Sequence, residues 1–158
     1  MASRSSLLTA TALAIALAAC GSKRIPGTEI RDTRDTREIV AVIDQYRSAA
    51  ERRDATTVLS LVSPRYFDDA GTPDPADDQD FEQLQRRLPE DYAKLAAVRL
   101  GMGVKAIDVN GDVATADIFY DGHWRVATPT GEVAKQTNDV NRMKLVRENG
   151  AWKIASGL

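Results

Sequence analysis

The chain is 158 residues long, carries a net charge of −2, is 43% hydrophobic and contains one cysteine. That length fits a single domain, and a mildly acidic chain with interspersed signs has no electrostatic pull toward nucleic acid. A lone cysteine excludes an internal disulfide framework and a cysteine-based zinc cluster.

The first residues, Met1 to Ser6, are short and polar with one positive side chain, Arg4. Leu7 to Leu17 is apolar apart from Thr9 and Thr11, and Ala18, Ala19 and Cys20 follow. This is the three-part layout of a secretory signal. The apolar run is far below the roughly 20 residues that span a bilayer stably. Leu17-Ala18-Ala19-Cys20 resembles the lipobox of bacterial lipoproteins. The resemblance implies a signal peptide over 1–19 and cleavage before Cys20. It also implies a diacylglycerol thioether, often with an N-acyl chain, on that cysteine. Two or more chains anchor firmly where one is marginal, each buried methylene contributing about 0.8 kcal/mol. By the same resemblance, Gly21 in the place of a retention aspartate implies the outer membrane, facing the periplasm. The alternative is an ordinary secretory signal cut near Ala18 or Ala19.

Residues 20–36 read as the lipidated cysteine and a disordered tether. They contain Gly21, Ser22, Pro26, Gly27 and the tandem Arg31-Asp32-Thr33 and Arg34-Asp35-Thr36, with too little apolar content to bury surface. The folded domain is expected over 37–158. Asp35 followed by Glu38 predicts a helix start, and Ile39, Ile43, Tyr46 and Ala50 recur at helical spacing. Asp54 is placed to cap a second, shorter helix through Val58 and Leu61, ended by Ser63-Pro64. The stretch from Asp68 to Asp80 is acidic and turn-rich. It lacks the residue order of a calcium loop, so it reads as solvated and no metal is implied. Asp80 caps a third helix carrying Phe81, Leu84 and Leu88, which Pro89 is expected to interrupt before Tyr92 and Leu95.

From Val98 the pattern alternates. Val104–Val109 predicts a strand, Gly101 and Gly103 a bulge or bend before it, and Asn110-Gly111 a hairpin turn. The returning strand runs to about Trp124, with Ala114, Ala116, Ile118 and Tyr120 on the core face. Thr128 to Gly131 turns again, Val140–Arg147 forms a third strand, and Glu148-Asn149-Gly150 leads into Ala151–Ala155. Helices first and a hairpin meander after them give an α+β fold.

The helix with Tyr46, the Arg53-Asp54 junction, the corner from Leu61 to Phe67 and the closing Glu148-Asn149-Gly150-Ala151-Trp152-Lys153-Ile154 resemble the nuclear transport factor 2-like (SnoaL-like) superfamily. The resemblance implies N-terminal helices packed on a strongly curved antiparallel sheet, a cone around an apolar pocket. Isomerases, dehydratases, hydrolases and non-enzymatic domains share that fold, so it specifies no reaction.

The enzymes of that superfamily resemble one another in placing an Asp or His base, often with a tyrosine, inside the cone. The sole histidine here is His123, close in sequence to Asp121 and Trp124. An imidazole at a strand end, half exposed, is the expected state, with catalysis as the alternative. Tyr46, Tyr66, Tyr120, His123 and Trp124 are the candidate pocket residues; core packing explains the same aromatics. No family catalytic residue maps onto a matching position, and no cofactor motif occurs. The chain therefore reads as a membrane-anchored, non-catalytic binding or envelope-associated module. Its partners are the bilayer, through acylated Cys20, and envelope proteins or a small apolar ligand. The alternative is a small isomerase, dehydratase or hydrolase with a pocket His or Asp as base.

Overall fold

The computed structural model describes residues 23–158; the leader, the lipobox-like stretch and Cys20 lie outside the described residues. Ahead of the first helix the chain folds back on itself. Arg24 and Arg31 form an antiparallel bridge, the Ile25 N–H donates to the Ile30 carbonyl at 2.9 Å, and the Asp32 N–H donates to the Lys23 carbonyl at 2.6 Å. Gly27, at φ 77°, supplies the reversal that a side chain would resist. Ile30 is 4% exposed. Within the stretch expected as a tether, Lys23 to Asp32 makes a short bridged strap. One buried apolar side chain and a few closed backbone hydrogen bonds hold it, and composition registers neither.

Helix α1 (Arg34–Glu51) begins behind Thr33 rather than at Asp35. The Thr33 hydroxyl accepts from the Thr36 N–H at 3.1 Å, and the Thr36 hydroxyl accepts from the Thr33 N–H at 3.0 Å. This is a capping box with threonine in the usual place of glutamate. Asp35, left in the first turn, accepts from the Arg147 guanidinium at 2.5 Å. Ile39, Ile43, Ala49 and Ala50 are buried along one stripe. Helix α2 (Ala55–Leu61) is capped by Asp54 as expected. A two-residue ladder, β1 (Phe67–Asp68) with β2 (Gln79–Asp80), closes the acidic loop at its base.

Helix α3 (Phe81–Ala93) is capped by Asp80 and Gln83. It runs through Pro89 instead of stopping there, which corrects the sequence expectation. Leu84, Leu88 and Tyr92 form one stripe against the core. Pro89 and Gln85 are both exposed, so the carbonyl that loses its donor at the proline faces water.

The rest is one antiparallel meander, β3 (Leu95–Asn110), β4 (Val113–Thr128), β5 (Gly131–Glu148) and β6 (Ala151–Ser156), in that spatial order. Three strands are longer than the alternation suggested. The first bulges fall at Leu95/Ala97 and Val104/Ala106, while Gly101 and Gly103 sit in regular pairing with Asp121 and Phe119. The first turn is Gly111-Asp112, since Asn110 pairs with Val113; Gly111 alone takes positive φ, at 60°. The core joins Ile39, Ile43 and Val58 of the helices to Ile118, Met143, Leu145 and Ile154 of the sheet. Burial alternates strictly along β4 from Val113 to Ile118, which confirms the core face assigned from sequence.

Candidate functional site

Strand alternation decides which side chains of β4 can meet the helices. Ala114, Ala116, Ile118, Tyr120, Gly122 and Trp124 share the inner face, and Asp117, Phe119, Asp121 and His123 share the outer one. The inner face runs out from a sealed core to a half-buried aromatic end. There the Tyr120 hydroxyl donates to that of Tyr46 at 3.3 Å, joining β4 to the inward stripe of α1. Gly122 is buried, and a Cβ on it would stand 2.8 Å from Cζ3 of Trp124. The indole therefore lies back over Gly122 toward Tyr120.

Tyr66, only 2% exposed, enters from the corner after α2. Its hydroxyl donates to Oδ2 of Asp68 at 3.1 Å. Tyr92 arrives from α3. All four tyrosines of the chain thus converge inside the curve of the sheet, and each feels at least one other electrostatically. Burial pushes every one of these phenols above the ordinary tyrosine value. Neighbouring Tyr120 adds to the shift at Tyr46, the Asp68 carboxylate at Tyr66, and Tyr46 at Tyr92. A phenolate here would lose its hydration without gaining a cation.

The carboxylates bordering this cluster are occupied. Asp68 accepts from the Gly157 N–H at 2.6 Å and, through its other oxygen, from the Ala70 N–H at 3.0 Å, besides Tyr66. Glu51 accepts from the Leu100 N–H at 3.0 Å and from Arg47 at 3.1 Å. Asp54 accepts from the Thr57 N–H and hydroxyl, which hold its carboxyl below the usual range. Each carboxylate fixes a loop, a strand edge or a helix start.

His123 stands on the outer face, with its side chain 55% exposed and Nε2 3.0 Å from the Asp121 carboxylate. Its cross-strand neighbours are Arg99 and Gln136. Of the five candidate pocket residues, then, Tyr46, Tyr66, Tyr120 and Trp124 lie on the inner side and His123 does not. Sequence reasoning does not assign Tyr92 to the site, because Pro89 is expected to interrupt its helix, nor Asp68, because it stands in an acidic run. The Leu84, Leu88, Tyr92 spacing was the signal that could have found the former.

Surface recesses of about 340 to 570 Å³ lie around the body; Tyr92 borders one beside Arg52–Thr56, and Trp124 borders another beside Arg99 and His123. Among the described residues, no group of His, Cys, Asp and Glu is arranged to hold a metal ion. No helix among them is long and apolar enough to cross a membrane.

No family model and no curated protein matches the chain. Solved structures do. The Kfla4162 protein of Kribbella flavida superimposes with a TM-score of 0.65 at 15% identity, over 78% of this chain and 87% of that one. A proposed dehydratase of the nuclear transport factor 2-like family from Streptomyces avermitilis gives 0.61 at 18% identity, over 78% and 93%. A ketosteroid isomerase-like protein from Erwinia carotovora atroseptica gives 0.63 at 16% identity, again over 78% and 93%. Identities this low carry the architecture and not the chemistry. Helices first, a curved four-stranded meander after them and neighbours of this kind make the body of this chain a nuclear transport factor 2-like fold.

Proposed function

We propose that this chain is a lipid-anchored protein of the bacterial envelope whose α+β body is a non-catalytic binding module. Its ligand is a small apolar molecule taken at the aromatic end of the cone. The observation that carries this reading is the division of side chains across β4. The interior offers phenols, an indole and aliphatic groups, whereas the single imidazole is outside and the bordering carboxylates are bound to backbone donors. A general base must reach a substrate proton; here the imidazole faces away from the interior, and the bordering carboxylates are engaged in holding backbone N–H groups. Apolar walls with a few polar tips suit ligand binding.

The anchor reading rests on Leu17 to Cys20 and gains a geometric consequence from the strap. Only Gly21 and Ser22 separate Cys20 from the folded chain at Lys23. Three peptide steps reach at most about 11 Å, so acyl chains on Cys20 hold the body against the headgroups of the bilayer, here assigned to the periplasmic face of the outer membrane.

Two measurements test the proposal. In cell fractionation, the wild-type chain stays with membranes and Cys20→Ser moves to the soluble fraction; a membrane-bound Cys20→Ser protein contradicts the anchor. In a fluorescence titration with anilinonaphthalene sulfonate, binding quenches or shifts tryptophan emission, and Tyr120→Ala weakens it. Binding unchanged by Tyr120→Ala puts the ligand elsewhere.

A further inference from the structure

The sheet has three edges, and two are engaged in part by the helices and the corner after them. On β3, Glu51 accepts from the Leu100 N–H and the Arg53 guanidinium donates to the carbonyls of Leu95 and Ala96. On β6, Val62 bridges to Ile154, whose carbonyl also accepts from the Ser63 N–H at 2.8 Å. The third edge is the first half of β5. Pairing with β6 covers only Lys144–Glu148, so among the described residues Gly131 to Asn141 has no strand beside its outer row of backbone groups. Every residue of this half is exposed, Val133 at 48% and Val140 at 60%. The Asp139 and Asn141 side chains accept from the Val140 and Arg142 N–H groups at 2.7 and 2.8 Å, and a long edge without a neighbouring strand is a template for another.

The sequence of that edge selects the strand. In a two-fold antiparallel pair, residues facing each other share a side of the sheet, so position i meets a position of the same parity. Centring the axis on Thr137 sets Lys135 opposite Asp139 on the inner face. It sets Glu132 opposite Arg142 on the outer face, and Ala134 opposite Val140 beside them. Every charge on the strand from Glu132 to Arg142 then meets its opposite. Moving the axis one residue either way sets Asp139 opposite Val133 or Lys135 opposite Asn141. Among the described residues, Lys135 and Asp139 have no ion-pair partner within the chain, while Glu132 and Arg142 pair with Arg125 and Asp117 and would extend those pairs.

We propose that two copies of this chain pair edge to edge through β5, about a two-fold axis at Thr137. The pairing makes a continuous six-stranded sheet from β3, β4 and β5 of each copy. It sets the partner's Asp139 near Lys135, the cross-strand neighbour of Trp124, so the second copy borders the aromatic end of the cone. The pairing is independent of the anchor and of the ligand.

The test is a symmetric disulfide. Directly opposed residues of an antiparallel pair have Cα atoms about 4.5 to 5.5 Å apart, within disulfide range. In the full-length chain purified in mild detergent, Thr137→Cys is expected to give an oxidised dimer joined at position 137 by peptide mapping. Thr130→Cys, far from its own counterpart in this register, is expected to give none. Adding Lys135→Glu to Thr137→Cys should cut the yield several-fold, because like charges then face each other, and adding Asp139→Lys as well should restore it. Absence of a link at 137, an equal yield at 130, or a yield indifferent to the charge reversal overturns the proposal.

Discussion

Two glycines show how differently one added methyl group acts according to what it meets. At Gly122 the obstacle is the indole edge of Trp124 at 2.8 Å, with the Thr137 methyl at 3.3 Å. The ring is half-buried, so it can swing outward, and Gly122→Ala is expected to cost about 1–2 kcal/mol and to red-shift tryptophan emission. At Gly157 the obstacles are the Arg142 carbonyl oxygen at 2.7 Å and Met143 Cα at 2.8 Å, and φ is +94°. Backbone does not yield, so Gly157→Ala is expected to cost more, about 3 kcal/mol. Chemical denaturation of both variants checks the order. The phenols make a second prediction. Their pKa values are raised on folding, so the stability they contribute is complete below the unfolded value of about 10 and is lost as pH climbs through the higher folded values. Because all four tyrosines lie in one cluster, ultraviolet titration of the native protein should show no phenol ionising at the ordinary value, and ionisation should coincide with loss of fold. A normal first phase would place at least one hydroxyl in water.

At the scale of elements, helix starts were the most legible feature, because a cap is a contact between residues three apart. Asp54 and Asp80 do what their spacing implied. The first helix was displaced by two residues because a threonine took the part expected of a glutamate. Thr33→Ala removes that cap and is expected to cost about 1 kcal/mol, with Arg34–Glu51 amides exchanging faster near the N-terminus; a stability unchanged by Thr33→Ala would show that packing of Ile39 and Ile43 alone defines this end. The strands were legible only where one face is buried. Val113 to Ile118 alternates between core and solvent, so its register was readable. Gly131 to Asn141 is exposed on both faces, and no alternation marks it, so β5 was read from Val140 onward. Pro89 misled for a related reason. Local propensity penalises it, but the Leu84, Leu88 and Tyr92 stripe carries the helix across.

At the scale of the molecule, the order of helices and hairpins was enough to give the fold, and the closing strand around Trp152 pointed to its cone. Which side chains enter that cone was only partly readable. Tyr46 follows from the stripe of the first helix and Tyr120 from the alternation of its strand. His123 was one residue out of phase with the inner face, and only the intact register through Gly122 puts it outside. The strap is a tertiary effect. Ile30 is a single apolar residue in a polar run, and it becomes informative once β3 stands next to it. With the strap folded, the proposed anchor at Cys20 lies three residues from the described body, so the proposal sets the cone close to a bilayer. The most direct measurement is the mass of the N-terminal peptide from membrane-extracted, full-length protein. The account predicts a peptide beginning at Cys20 that carries a diacylglycerol group, with or without a further acyl chain. A peptide that retains residues before Cys20, or one that begins there with an unmodified thiol, would contradict it.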